Sequence, residues 1–180
     1  MTILRAGPWG NLTSAHEDVP ADVSVPLGIY PVNCALNDWP NQVWAAYYSA
    51  YNEIQDDTDT EYGLAGLGHE VSKTSDSSLF YFTPGVSFVF CYQATDPFDI
   101  DFNWGFTGAG FEYNFPDLSW SYETINGDSD SFFTTPTNSG TETISLPAAT
   151  FGLVSAYVSG YLLDFDKVLT VTASLTNPQP

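Results

Sequence analysis

Asp57, Asp59 and Glu61 alternate through Asp56-Asp57-Thr58-Asp59-Thr60-Glu61, the densest acidic run in the chain. Hard cations such as Ca²⁺ take about six to eight oxygen ligands, and three carboxylates from one loop supply part of that set. The run departs from an EF-hand loop, which needs glycine at its sixth position and glutamate at its twelfth; Tyr62 and Gly68 stand there instead. A second oxygen-rich turn, Asn126-Gly127-Asp128-Ser129-Asp130, also lacks the closing glutamate. For both segments the stronger reading is a solvated loop whose Asp side chains satisfy local backbone donors. Calcium on Asp57, Asp59 and Glu61 is therefore the single cofactor left open, and no other is expected.

The remaining reactive residues are sparse. His16 and His69 are the only histidines, and Lys73 stands where a zincin helix would need a second one after His69-Glu70. Without a Cys/His cluster, transition-metal sites are not expected. The chain contains no G-x-S-x-G elbow, no phosphate-binding G-x-x-x-x-G-K-[ST] loop and no G-x-G-x-x-G. Carboxylate pairs for glycoside hydrolysis are identified by their separation in space, so abundant Asp and Glu alone do not indicate them. An enzyme is not expected. Cys34 and Cys91 lie far apart in sequence, and read either as two inert core thiols or as one bridge.

Charge narrows the partners. Against 22 acidic residues stand 3 basic ones, Arg5, Lys73 and Lys167, giving a net charge of −19. Such a surface repels phosphate backbones and anionic lipid, which excludes nucleic acid and membranes as expected partners. It also self-repels at low ionic strength. Met1-Thr-Ile-Leu-Arg5 lacks the apolar stretch of a secretory signal, and no run reaches membrane-helix length. The expectation is a chain made and kept in a cytoplasm, or leaving it by assembly or lysis.

The elements that must position these groups read as strands. Residues 1–40 form an extended arm, punctuated by Pro8, Pro20, Pro26, Pro31 and Pro40; Val23 to Val32 can still make an edge strand. Within Gly7-Pro8-Trp9-Gly10, Trp9 is a large anchor that docks onto its own domain or onto a neighbouring subunit. Pro8, Trp9 and Leu12 are the interface candidates. Residues 41–55 carry Val43, Trp44, Tyr47, Tyr48, Tyr51 and Ile54 at helical spacing, yet their aromatic content suits a strand, which is the preferred reading. Thr83-Pro84-Gly85 reads as a turn between Leu79–Phe82 and Val86–Gln93. Phe98, Ile100, Phe102, Trp104 and Phe106 alternate with polar residues or glycine, a period of two. Phe111, Tyr113 and Phe115, then Leu118, Trp120 and Tyr122, repeat it. Asn126-Gly127 is the strongest hairpin signal, with Phe132 and Phe133 on the returning strand. Runs at 141–146, 151–163 and 167–175 complete an all-β set: a single domain over residues 41–180, built as an antiparallel β-sandwich or jelly roll. Strand order, and the choice between open sandwich and closed barrel, stay open. Trp39, Trp44, Trp104 and Trp120 are candidates for a sugar-stacking platform; alternation puts Trp104 and Trp120 on the core face and leaves Trp39 the best placed for exposure.

An acidic, aromatic-rich β domain with a Pro-punctuated arm and few basic residues resembles the virion structural proteins of tailed phages, capsid decoration and accessory tail proteins among them. The resemblance covers the whole chain in composition and architecture and carries no motif. It implies a non-enzymatic protein of the virion, partnered by copies of itself in a trimer or larger assembly and by a major capsid or tail protein. The competing expectation is a carbohydrate-binding or receptor-binding β-sandwich module.

Overall fold

Two-residue periodicity builds the elements of this chain. The computed structural model describes residues 23–25, 28–30, 42–54, 57–66, 68–75, 83–108, 116–124, 126–161 and 168–176. Among them the regular elements are all strands: β1 (Val23–Val25), β2 (Gly28–Tyr30), β3 (Gln42–Ile54), β4 (Asp57–Ala65), β5 (Val71–Ser75), β6 (Thr83–Ala94), β7 (Phe98–Gly108), β8 (Asp117–Thr124), β9 (Ser129–Thr134), β10 (Ser139–Leu146), β11 (Ala149–Ser159) and β12 (Leu169–Thr176). One sheet has six strands in the order β4-β3-β6-β11-β8-β9, and the other has four, β10-β7-β12-β5. Every neighbouring pair is antiparallel. The two sheets bury their facing sides against each other, which makes a β-sandwich.

Alternation sets the core. From the six-stranded sheet, Val86, Phe88, Phe90 and Tyr92 of β6 point inward beside Val154, Ala156 and Val158 of β11 and Leu118 and Trp120 of β8. They meet Ile100, Phe102 and Phe106 of β7, Ile144 and Leu146 of β10, and Leu169, Val171, Ala173 and Leu175 of β12. Phe88 and Phe102 close the centre edge-to-face, with ring centroids 6.1 Å apart. The hairpin signal is realised: Asn126 and Gly127 turn β8 into β9, Gly127 takes φ 92°, and its N–H donates to the Thr124 carbonyl.

A second rule operates within the sheets. Tyr48 lies directly opposite Gly63, Tyr51 opposite Gly85, Tyr92 opposite Gly152 and Trp104 opposite Gly140. In each pair the aromatic ring occupies the space a Cβ on the glycine would need, to within 2.6 Å or less. The glycines let large rings lie flat over the neighbouring strand, and the rings cover backbone that glycine leaves bare. Abundant aromatics and glycines thus act as one packing device.

Three sequence expectations are corrected. The described part of Val23–Val32 is not an edge strand of the sandwich: Val23 pairs with Tyr30 and Ser24 with Ile29 in a two-stranded sheet of β1 and β2. Thr83-Pro84-Gly85 is not a turn but the start of β6, where a missing donor interrupts the ladder least; the Pro84 carbonyl accepts the Gly160 N–H at 2.9 Å, and Gly85 makes room for Tyr51. The acidic run is not a loop either, since Asp57 to Glu61 belong to β4, an edge of the six-stranded sheet. Charges on an edge strand oppose pairing with another chain. Within 41–55, Gln42–Ile54 is strand β3, as preferred. Phe111, Tyr113 and Phe115 lie outside the described residues, as does the Pro-rich arm apart from β1 and β2.

Candidate functional site

Residues 57, 59 and 61 alternate along β4, so successive members stand about 7 Å apart on extended backbone. The two with described side-chain partners are held separately. Asp59 accepts a 2.8 Å bond from Lys73 of β5, the one Lys or Arg among the described residues. Glu61 accepts from Tyr48, whose hydroxyl pKa is raised first by burial and then by that carboxylate. The Lys73–Asp59 pair ties an edge of the four-stranded sheet to an edge of the six-stranded one. Among the described residues no group of three or more His, Cys, Asp or Glu side chains is placed to hold a metal ion.

In the second acidic turn, local donors are satisfied from within. The Asp128 N–H donates to Thr124 Oγ1 at 3.1 Å, and Asp130 Oδ1 accepts the Ser131 N–H at 2.8 Å. His69 is exposed and stacks on Tyr48 with centroids 6.1 Å apart. Trp120 is buried between Tyr122 and Phe132, and Trp104 is half-buried, its Nε1 donating to the Thr137 carbonyl at 3.2 Å. Pro8, Trp9, Leu12, His16, Cys34 and Trp39, the interface candidates included, lie outside the described residues, and so do the side chains of Trp44 and Cys91.

Sequence reading missed the outer face of the four-stranded sheet. Pairing registers put Ser72 and Thr74 of β5, Thr170, Thr172, Ser174 and Thr176 of β12, Asp99, Asp101, Asn103 and Thr107 of β7, and Ser139, Thr141, Thr143 and Ser145 of β10 on that side. All are short and polar; none is apolar or cationic. Many are bonded laterally. Thr74 and Thr170 share a 2.8 Å bond, Thr143 donates to Asp101 at 2.7 Å, Thr141 donates to Asn103 Oδ1 at 2.8 Å, and Asn103 Nδ2 donates to Thr176 at 2.9 Å. A pocket of about 110 Å³ opens here, lined by Glu70, Asn103, Trp104, Thr172, Ala173 and Ser174. The sequence signal for it was visible as alternating Thr and Ser in Leu169–Thr176, but only register brings the four strands' polar sides together.

The outer face of the six-stranded sheet is different. Tyr51 donates to the Tyr157 hydroxyl at 2.7 Å, which donates to Ser159 at 2.7 Å, and the two rings stack 6.2 Å apart. Ser49 and Ser87 share a 2.8 Å bond beside them. At its two edges stand the exposed rings of Tyr62 on β4 and Phe133 on β9, 58% and 68% accessible.

Burial raises the pKa of Tyr51, helped by the neighbouring Tyr157, and burial also raises that of Tyr92, helped by Tyr122 and Asp128. An unfolded tyrosine ionises near pH 10. Below that value both states are neutral and the full stability is present. Above it the unfolded chain loses protons that the fold retains, so stability falls as pH rises toward the elevated folded values. Thermal melts between about pH 8.5 and 11.5 should show this decline, and Tyr51→Phe should make it shallower. An unchanged slope in that variant would refute the assignment.

No protein-family model and no curated protein matches the chain. Among solved structures it is similar to TmCBM61 in complex with β-1,4-galactotriose, at 10% sequence identity and a TM-score of 0.38, over 61% of this chain and 70% of that one. At that level the likeness carries no argument about what this chain binds.

Proposed function

We propose that the chain is a non-enzymatic virion structural protein, a capsid decoration or accessory tail protein that stabilises a particle through subunit contacts. The observation that supports this is the contrast between its two broad faces. Outside its pocket, the outer side of the four-stranded sheet is short, polar and laterally hydrogen-bonded, which suits exposure to water. Away from the pocket beside Glu70, a surface whose polar groups already bond one another gives a partner little to desolvate favourably. The opposite sheet carries Tyr62 and Phe133 exposed at its edges, and aromatic anchors of this kind dominate protein contacts. Many copies bridging one particle would stabilise the assembled state by occupancy and multivalency. Its partners on this reading are copies of itself and a major capsid or tail protein, in a virion assembled in the host cytoplasm.

Exposed Tyr62 and Phe133 also favour a second reading, a carbohydrate- or receptor-binding module in which such rings stack on sugar faces. Light scattering in seawater-like salt, with and without Ca²⁺, separates the two. The virion reading expects a trimer or larger closed assembly, lost when residues 1–20 are deleted while the domain stays folded. A full-length monomer that binds an oligosaccharide panel, with affinity lost in Tyr62→Ala or Phe133→Ala, would overturn it in favour of the second.

A further inference from the structure

We propose that the pocket lined by Glu70, Asn103, Trp104, Thr172, Ala173 and Ser174 receives a cationic side chain, a lysine ammonium or arginine guanidinium, from a partner protein. Both ends of the Asn103 amide are engaged, Nδ2 by Thr176 and Oδ1 by Thr141. The Thr172 hydroxyl donates its proton to the Gly105 carbonyl at 3.2 Å, which leaves its oxygen as an acceptor. Glu70 is exposed and its ionised carboxylate only accepts. The Ser174 hydroxyl can also accept. The uncommitted capacity of the pocket is thus almost entirely acceptor, and a ligand rich in donors and bearing positive charge complements it.

The surroundings favour the same ligand. The chain has a net charge of −19, and Lys73, the one Lys or Arg among the described residues, is engaged by Asp59. A field of that sign raises the local concentration of cations at the surface. A neutral sugar could donate its hydroxyl protons to the same acceptors, but it would gain nothing from the charge of Glu70 or from the net charge of the chain, which a cation does. The meaning of the pocket as a partner contact rests on the contact-protein reading above, whereas its cation selectivity is a property of the isolated chain.

Backbone-amide NMR on the full chain tests it, with n-butylammonium as the lysine mimic, sodium at equal ionic strength and galactose as controls. The expected result is saturable shifts centred on residues 103 and 172–174. Glu70→Gln should weaken them about twofold to fivefold, the loss expected for one solvent-exposed charge pair. Asp96→Asn, which removes an exposed carboxylate elsewhere, should leave them unchanged. Shifts spread evenly over the acidic surface and equal in Glu70→Gln, or equal shifts from galactose, would overturn the proposal. Because assembly state is read separately, the pocket can fail while the contact-protein reading stands, and the reverse.

Discussion

Phe88→Ala is expected to lower the unfolding free energy by about 3–5 kcal/mol, the range for emptying a large aromatic from a packed core. Phe88 is fully buried at the centre of β6, flanked by Tyr48 of β3 and Ala156 of β11 in the same sheet. Its edge-to-face contact with Phe102 joins the two sheets. Truncation removes apolar area from the interior and leaves a cavity between rigid strands that cannot collapse into it. Domains of this kind are stable by about 5–15 kcal/mol, so the loss is a large share of the total. Urea unfolding measures it directly. A loss below about 1 kcal/mol would mean that the two sheets do not pack through this pair.

Gly152→Val should cost about 1–3 kcal/mol or more, and the cost should depend on Tyr92. A Cβ on Gly152 would lie 2.2 Å from Tyr92 Cε1, and the ring has no free direction in which to move. It is fully buried, packs edge-to-face on Phe98 at 5.3 Å, and its hydroxyl donates to the Pro147 carbonyl at 3.0 Å. Tyr92→Leu alone should also destabilise, by loss of that contact and bond. Combined with Gly152→Val, however, it should cost clearly less than the two single changes together, because the leucine vacates the space the valine needs. Additive losses in that double-mutant cycle would show that ring and glycine are not coupled.

Strand identity was legible wherever a single strand faces water on one side. Phe98 to Phe106 alternate and form β7, and Asn126-Gly127 marks the β8–β9 turn, because both signals are local. Where neighbours determine conformation, the local reading failed. Thr83-Pro84-Gly85 has turn chemistry but lies in β6, held by pairing to Tyr51 and Asn52 on one side and Ser159 on the other. Asp57 to Glu61 has loop composition but completes the sheet beside β3.

The candidate site divides in the same way. The sequence by itself determined the net charge of −19 and the motif content, since neither depends on folding. It also determined an all-β chain, since a two-residue period is a property of neighbouring residues. Only the tertiary structure decided that this is an open two-sheet sandwich and that glycines sit opposite aromatic rings. It alone collected the polar alternates of β5, β12, β7 and β10 into one hydroxyl-rich face with a pocket beside Glu70. These features depend on which residues stand opposite one another across strands distant in sequence, and that register is set by packing the whole core at once.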